Sequence, residues 1–247
     1  MHSVFISTPC YDGMLSMSYT LSILKLIRKL NSMNIKYHID LIGNESLIPR
    51  ARNNSLGRFM KTNYSHLLFI DADIEFQPEA LIDIINFNKD VVCCSVPTKN
   101  INWERIKESI TNNEDTRESY ESRGLRFAYN KMNQQNNIDE NSNTNENDNF
   151  IQVQHAGTAF MLIKREIIVK LYDKHPELMI RSAQLNNSIV CGLFCCMIQN
   201  KIYLSEDYSF CERVRNIGGE IWVNTSHNLN HIGRMIFRSD IANRTIK

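Results

Sequence analysis

The chain has 247 residues, 43% of them hydrophobic and 22% charged, and its 28 basic against 27 acidic side chains leave a net charge of +1. That length suits one large α/β domain or two small ones. The balance excludes a general electrostatic pull toward nucleic acid or an anionic membrane, though not a local basic patch, and no run reaches the roughly 18 apolar residues of a membrane span.

The first residues, Met1 to Ser7, enter a strand-like run at once and lack the charged and long apolar segments of a signal peptide, so the expected location is cytoplasmic. Residues 4–7 read as a strand closed by Thr8-Pro9. Residues 14–33 carry Met17, Leu21, Leu24, Ile27 and Leu30 at helical spacing. Tyr37, Ile39 and Leu41 alternate with His38 and Asp40, which predicts a second strand. A helix is expected over 48–61. The continuous apolar run 66–70 suits a buried parallel strand ending at Asp71. Pro78 opens a short helix, and residues 90–96 form a fourth strand. The first hundred residues thus read βαβαβαβ, which predicts a parallel sheet with helices on both faces and ligands at the carboxyl ends of the strands. Residues 8–13, 71–73 and 97–99 all follow strand ends.

From 100 to 149 the chain is polar, and 130–149 is dominated by Asn, Gln, Asp and Glu. Such a segment buries too little apolar surface to order itself and is expected to be a disordered surface insertion. Order resumes at Phe150. Residues 157–163 suggest a buried strand and 164–172 a helix. The apolar stretch 189–198 is either strand or buried helix. Ser205 is placed as the N-cap of a helix running to Ile217 and stopping at Gly218-Gly219, and 220–224 is a last strand. The tail from His231 to Lys247 is polar and basic. The seven cysteines include the adjacent pairs Cys93-Cys94 and Cys195-Cys196 in apolar runs and no CxxC, so they read as reduced, core-filling thiols.

Asp71 and Asp73 flank Ala72 directly after the third strand. Two carboxylates so close repel unless a cation lies between them, and Mg²⁺ or Mn²⁺, held by one or two carboxylates and substrate phosphates, supplies it. The bland alternative is a solvated turn. Arg50 and Arg52 either solvate a helix or pair with Asp71 and donor phosphates through their planar forks. Glu206-Asp207 either caps a helix dipole or serves as general base. His231 is either structural or an imidazole ligand. Trp222 is expected in the core, and Trp103 is evenly placed between core and stacking platform.

Taken together, six segments resemble those of small GT-A-fold glycosyltransferases, especially the compact type found in large DNA viruses and some bacteria. They are residues 8–13 (TPCYDG), 49–53 (PRARN), 66–74 (HLLFIDADI), 157–165 (GTAFMLIKR), 205–211 (SEDYSFC) and 231–233 (HIG). The resemblance implies a single GT-A domain: an α/β fold with a Rossmann-like nucleotide-binding half over 1–99, the polar insertion over 100–149 and an acceptor or catalytic half over 150–247, built on a mixed central sheet with helices on both faces. It implies a nucleoside-diphosphate-sugar donor, UDP-sugar favoured, a Mn²⁺ or Mg²⁺ ion, and a glycan or glycoprotein acceptor, in the host cytoplasm or the virion if the protein is viral. Thr8, Pro9 and Tyr11 would border the base and ribose, with Arg52, Asp71, Ala72 and Asp73 also at the donor. Asp73, Asp71 and His231 would make up the metal shell. Gly157 and Thr158 would line the sugar pocket, and Glu206 and Asp207 would sit nearest the anomeric carbon. Two other functions compete. A sugar-1-phosphate nucleotidyltransferase would carry a glycine-rich basic loop after the first strand, where this chain has one glycine and no base. A non-catalytic nucleotide-sugar or glycan-binding module would not need the intact acidic set.

Overall fold

The computed structural model describes residues 2–111, 117–132, 149–233 and 236–237. The expected disordered segment and the basic tail fall largely outside these residues. Eight strands form the main sheet: β1 (Ser3–Cys10), β2 (Lys36–Gly43), β3 (His66–Ile70), β4 (Val91–Cys94), β5 (Tyr129–Lys131), β6 (Phe150–Ala156), β7 (Phe160–Lys164) and β8 (Ile221–Asn224). Five helices pack on it: α1 (Met17–Ser32), α2 (Ile48–Met60), α3 (Pro78–Phe87), α4 (Arg165–Lys174) and α5 (Glu206–Asn216).

The sheet order is β2-β1-β3-β7-β4-β8-β6-β5. β1 pairs in parallel with β2 and β3, as the βαβαβ reading predicts. The wholly parallel sheet of the strand pattern does not hold, whereas the mixed sheet that the resemblance implies does. β7 inserts antiparallel between β3 and β4, so the sheet is mixed and residues from both parts of the chain share it. Pairing between residues about ninety positions apart leaves no trace in local periodicity, which is why the strand pattern alone missed it.

Period-two alternation divides the core. Val4, Ile6, Leu68 and Ile70 face one side, where Tyr19, Leu26 and Leu30 of α1 and Leu81 and Ile84 of α3 cover them. Phe5, Leu67 and Phe69 face the other, against Leu56 and Phe59 of α2, Ile168 of α4 and Phe210 of α5. Strands buried on both faces are continuously apolar, and both sides of the sheet carry helices. Trp222 joins the first face edge-on to Phe87, while Trp103 is exposed.

Two other expectations are corrected. Residues 157–159 form a turn, and the strand begins at Phe160. The stretch 189–198 is neither one strand nor a helix. Ser188–Cys191 pairs antiparallel with Met179–Ser182, and Met197–Gln199 pairs with Ile202–Leu204. Gly192 lies between the two hairpins, where a side chain would meet Cys195 Sγ at 2.7 Å. The seven cysteines are free, five of them buried and Cys195 and Cys196 half-buried. Among the described residues no helix is long and apolar enough to cross a membrane.

Candidate active site

Asp71-Ala72-Asp73 leaves the carboxyl end of β3 and is fixed by its backbone to three separate segments. Asp71 N–H donates to the Ala159 carbonyl (3.0 Å), the Ala72 carbonyl accepts from Ser16 N–H (3.0 Å), and the Asp73 carbonyl accepts from Ile232 N–H (2.8 Å). The triplet therefore ties the segment before β7, the start of α1 and the strand Asn230–Ile232 to one point. A cavity of about 650 Å³ opens there, lined by Pro9, Tyr11, Arg52, Asp71, Ala72, Asp73, Gly157, Thr158, Glu206, Asp207 and His231, together with Met14 and Ile48. Every site residue that the resemblance implies borders it except Thr8. That residue is fully buried, with Oγ1 spent on the Tyr19 hydroxyl at 2.6 Å, so it braces β1 against α1 instead.

Arg52 is the buried hub. Its Nη2 donates to Asp71 Oδ1 (3.1 Å), its Nε to Glu206 Oε1 (3.4 Å), and its guanidinium carbon lies 5.3 Å from the centre of the Phe69 ring. Its Nη1 is buried without a hydrogen-bond partner among the described residues. A buried donor left unpaired costs free energy, so Nη1 calls for an acceptor that the described residues do not supply. Arg50 turns away from the cavity to the buried carboxylate of Glu45. The choice that sequence left between the two arginines therefore falls to Arg52.

Glu206 and Asp207 open α5. Burial and the adjacent Asp207 charge raise the Glu206 carboxyl above its ordinary value, with Arg52 opposing them. That moves it toward the range of a general acid or base. Asp207 is held through Oδ1, which accepts from the Ser205 hydroxyl and from Tyr208 N–H at 2.8 Å. Ser205 precedes the helix as expected, but its hydroxyl caps no backbone N–H and positions Asp207 instead. Gly157 lies close by: a Cβ there would stand 3.1 Å from Ala128 Cβ and 3.6 Å from Asp207 Oδ2.

Asp73 Oδ2 meets two groups, the Lys99 ammonium and His231 Nε2, the latter at 3.4 Å. Burial pushes the Asp73 carboxyl up, but the bonds from His231 and Lys99 outweigh it, and it lies below the ordinary aspartate value. The other ring nitrogen of His231, Nδ1, is 2.9 Å from the Pro97 carbonyl. A carbonyl only accepts, so Nδ1 carries the proton. Nε2 then either carries a second proton, which its bond to Asp73 requires, or turns a lone pair toward a carboxylate that a metal ion would bridge. Two ligands about 2.1 Å from one hard cation stand about 3 Å apart, so the pair fits a divalent ion. Among the described residues no group of three or more His, Cys, Asp or Glu surrounds a single point. Asp73 and His231 would therefore supply part of the shell and ligand oxygens and water the rest, as is usual for Mg²⁺. Lys99 was missed as a site residue. Its one signal was position, since 97–99 follows a strand end as Asp71 does.

No family model matches the chain, and no characterised protein sequence does. Solved structures do. The structure of GalNAc-T7 with UDP, GalNAc and Mn²⁺ aligns with a TM-score of 0.52 at 10% identity, covering 95% of this chain and 43% of that one. A197 from STIV aligns over 100% of this chain and 98% of its own at 17% identity, with a TM-score of 0.47. S. aureus TarS residues 1–349 align over 90% of this chain and 58% of that one at 12% identity, with a TM-score of 0.40. At such identities the first likeness bears on fold alone. The fold is α/β of GT-A-like type, with a large mixed central sheet.

Proposed function

We propose that the chain is a metal-dependent glycosyltransferase that moves a sugar from a nucleoside-diphosphate sugar, UDP-sugar favoured, to a hydroxyl of a glycan or glycoprotein acceptor. One observation carries this: a single cavity gathers the Asp73–His231 pair, Arg52 with its buried unpaired Nη1, and the acidic pair Glu206-Asp207. The GT-A-like fold supports it.

Asp73 and His231 would hold Mn²⁺ or Mg²⁺, with Asp71 at the ribose or a metal-bound water. When bound, the ion offsets the charge of the leaving diphosphate. Arg52 orients Asp71 and Glu206 and offers Nη1 to a donor oxygen. Pro9 and Tyr11 border the base, and Gly157 and Thr158 the sugar. Glu206 or Asp207 takes the acceptor proton. Lys99, paired with Asp73, would offer its ammonium to a diphosphate oxygen. A compact viral type goes with this reading and rests on motif resemblance. The nucleotidyltransferase alternative gains nothing from the first loop, whose single glycine, Gly13, serves a tight turn at φ 72°.

A thermal-shift screen of UDP-, GDP- and dTDP-sugars with and without Mn²⁺ tests the proposal, because a ligand that binds the native state raises its stability. The expected result is stabilisation by one nucleotide-sugar class in Mn²⁺ alone. No response to any of them, or a response only to nucleoside triphosphates, would overturn it.

A further inference from the structure

α1 carries apolar residues on two opposite faces. Tyr19, Ile23, Leu26 and Leu30 are buried against the sheet. Met17, Leu21 and Leu24 follow one another at i, i+4 and i+7 on the outer side and are 77%, 52% and 51% exposed. Single exposed apolar residues are ordinary, but a surface helix normally turns polar residues outward. Exposed Met14 and Tyr11 precede the helix start and line the cavity. Leu41, also exposed, alternates with Tyr37 and Ile39 and so projects on the sheet face that α1 covers.

The charge around the stripe is one-sided. Residues 14–36 hold four basic side chains, Lys25, Arg28, Lys29 and Lys36, and no acidic one, in a chain otherwise balanced at 28 to 27. Lys29 pairs with Glu79 of α3. Lys25 and Arg28 are exposed and enter none of the ion pairs found among the described residues. Arg28 lies in line with the stripe, and Lys25 flanks it.

We infer that this face docks on an anionic lipid surface, with α1 lying in the plane of the interface. Met17, Leu21 and Leu24 would enter the headgroup boundary while Lys25 and Arg28 meet lipid phosphates. Charge selects this occupant over a second copy of the chain. Pairing α1 with itself sets basic side chains against basic ones, and the helix has no acid to answer them. The stripe spans only about 10 Å of helix, so docking is reversible, depends on the basic residues and weakens with salt. It would leave the cavity mouth beside the headgroups. The inference does not depend on the chemistry assigned to the cavity.

Co-sedimentation of the full chain with vesicles of equimolar phosphatidylglycerol and phosphatidylcholine, against phosphatidylcholine alone, tests it. The expected result is binding to the anionic vesicles only, reduced by high salt. Leu21→Ser/Leu24→Ser and Lys25→Glu/Arg28→Glu should each weaken it at least about tenfold. Both pairs are on the surface, so the melting temperature should stay near that of the wild type. If one pair fails to fold, the other decides. A wild-type chain left in the supernatant, or variants that bind as well as it does, would overturn the inference. So would sedimentation equilibrium showing a dimer that Leu21→Ser/Leu24→Ser dissolves, which would give the face to a second copy.

Discussion

His231 faces Asp73 with Nε2 3.4 Å from Oδ2, and the Pro97 carbonyl fixes that orientation from the far side of the ring, 2.9 Å from Nδ1. A backbone acceptor behind an imidazole sets which nitrogen is free to ligate. His231→Gln should therefore weaken Mn²⁺ binding at least about tenfold, and Asp73→Asn should abolish it. Calorimetric titration of Mn²⁺ reads both. The Asp73 carboxylate is a third exposed, so Asp73→Asn should change folding stability by about 1 kcal/mol or less. Wild-type Mn²⁺ affinity in either variant would move the ion elsewhere.

Arg52 joins Asp71 to Glu206 from a side chain only 4% exposed. Arg52→Ala would strand two carboxylates beside the buried core and should cost about 3–5 kcal/mol. Arg52→Lys should recover only part of that, because one ammonium does not reproduce a planar fork. Urea unfolding midpoints give the comparison. A loss below about 1 kcal/mol in the alanine variant would show that water already satisfies this site.

Glu206 has its folded-state pKa raised above the ordinary 4.5. As pH rises past that value the unfolded chain loses its proton first, so the native state binds more protons and stability falls through the window above 4.5. Glu206→Gln lacks this loss. Its melting temperature relative to wild type should therefore climb with pH across that window and then level off. A relative melting temperature that declines with pH would reverse the sign of the shift.

Glu206→Gln and Asp207→Asn also separate the two carboxylates. Substituting the one that moves the acceptor proton should lower turnover about 10²- to 10⁴-fold, while the other should act mainly on KM. Matched losses in KM alone for both variants would leave neither as the base.

Gly157→Ala would press a methyl group to 3.1 Å from Ala128 Cβ and 3.6 Å from Asp207 Oδ2. The expected outcome is a loss of about 1 kcal/mol in stability with a larger fractional loss in turnover, measured on the same preparation. Unchanged turnover would mean that the loop has room to give.

Much of this arrangement was legible in the sequence because local pattern and placement coincide. The run 67–70 is apolar throughout since β3 is buried on both faces, and Asp71 to Asp73 necessarily follow it at the ligand edge. The glycine stop of α5 also reads directly, with Gly218 at φ 81°. What stayed hidden depends on distant pairing. The antiparallel insertion of β7 and the division of 189–198 between two hairpins are set by partners far along the chain. Lys99 sits in a polar strand, Pro97–Ile101, whose composition resembles a loop, and only the fold brings it to Asp73. The motif resemblance puts Thr8 at the base and ribose, yet side-chain alternation along β1 turns it inward to Tyr19.

The central claim is that Asp73 and His231 hold a divalent ion on which nucleotide-sugar binding depends. Titrating a UDP-sugar into the wild-type chain and into Asp73→Asn, each in Mn²⁺ and in excess chelator, tests it most directly. The account predicts saturable binding only for the wild type in Mn²⁺. Equal affinity in chelator, or in Asp73→Asn, would contradict it.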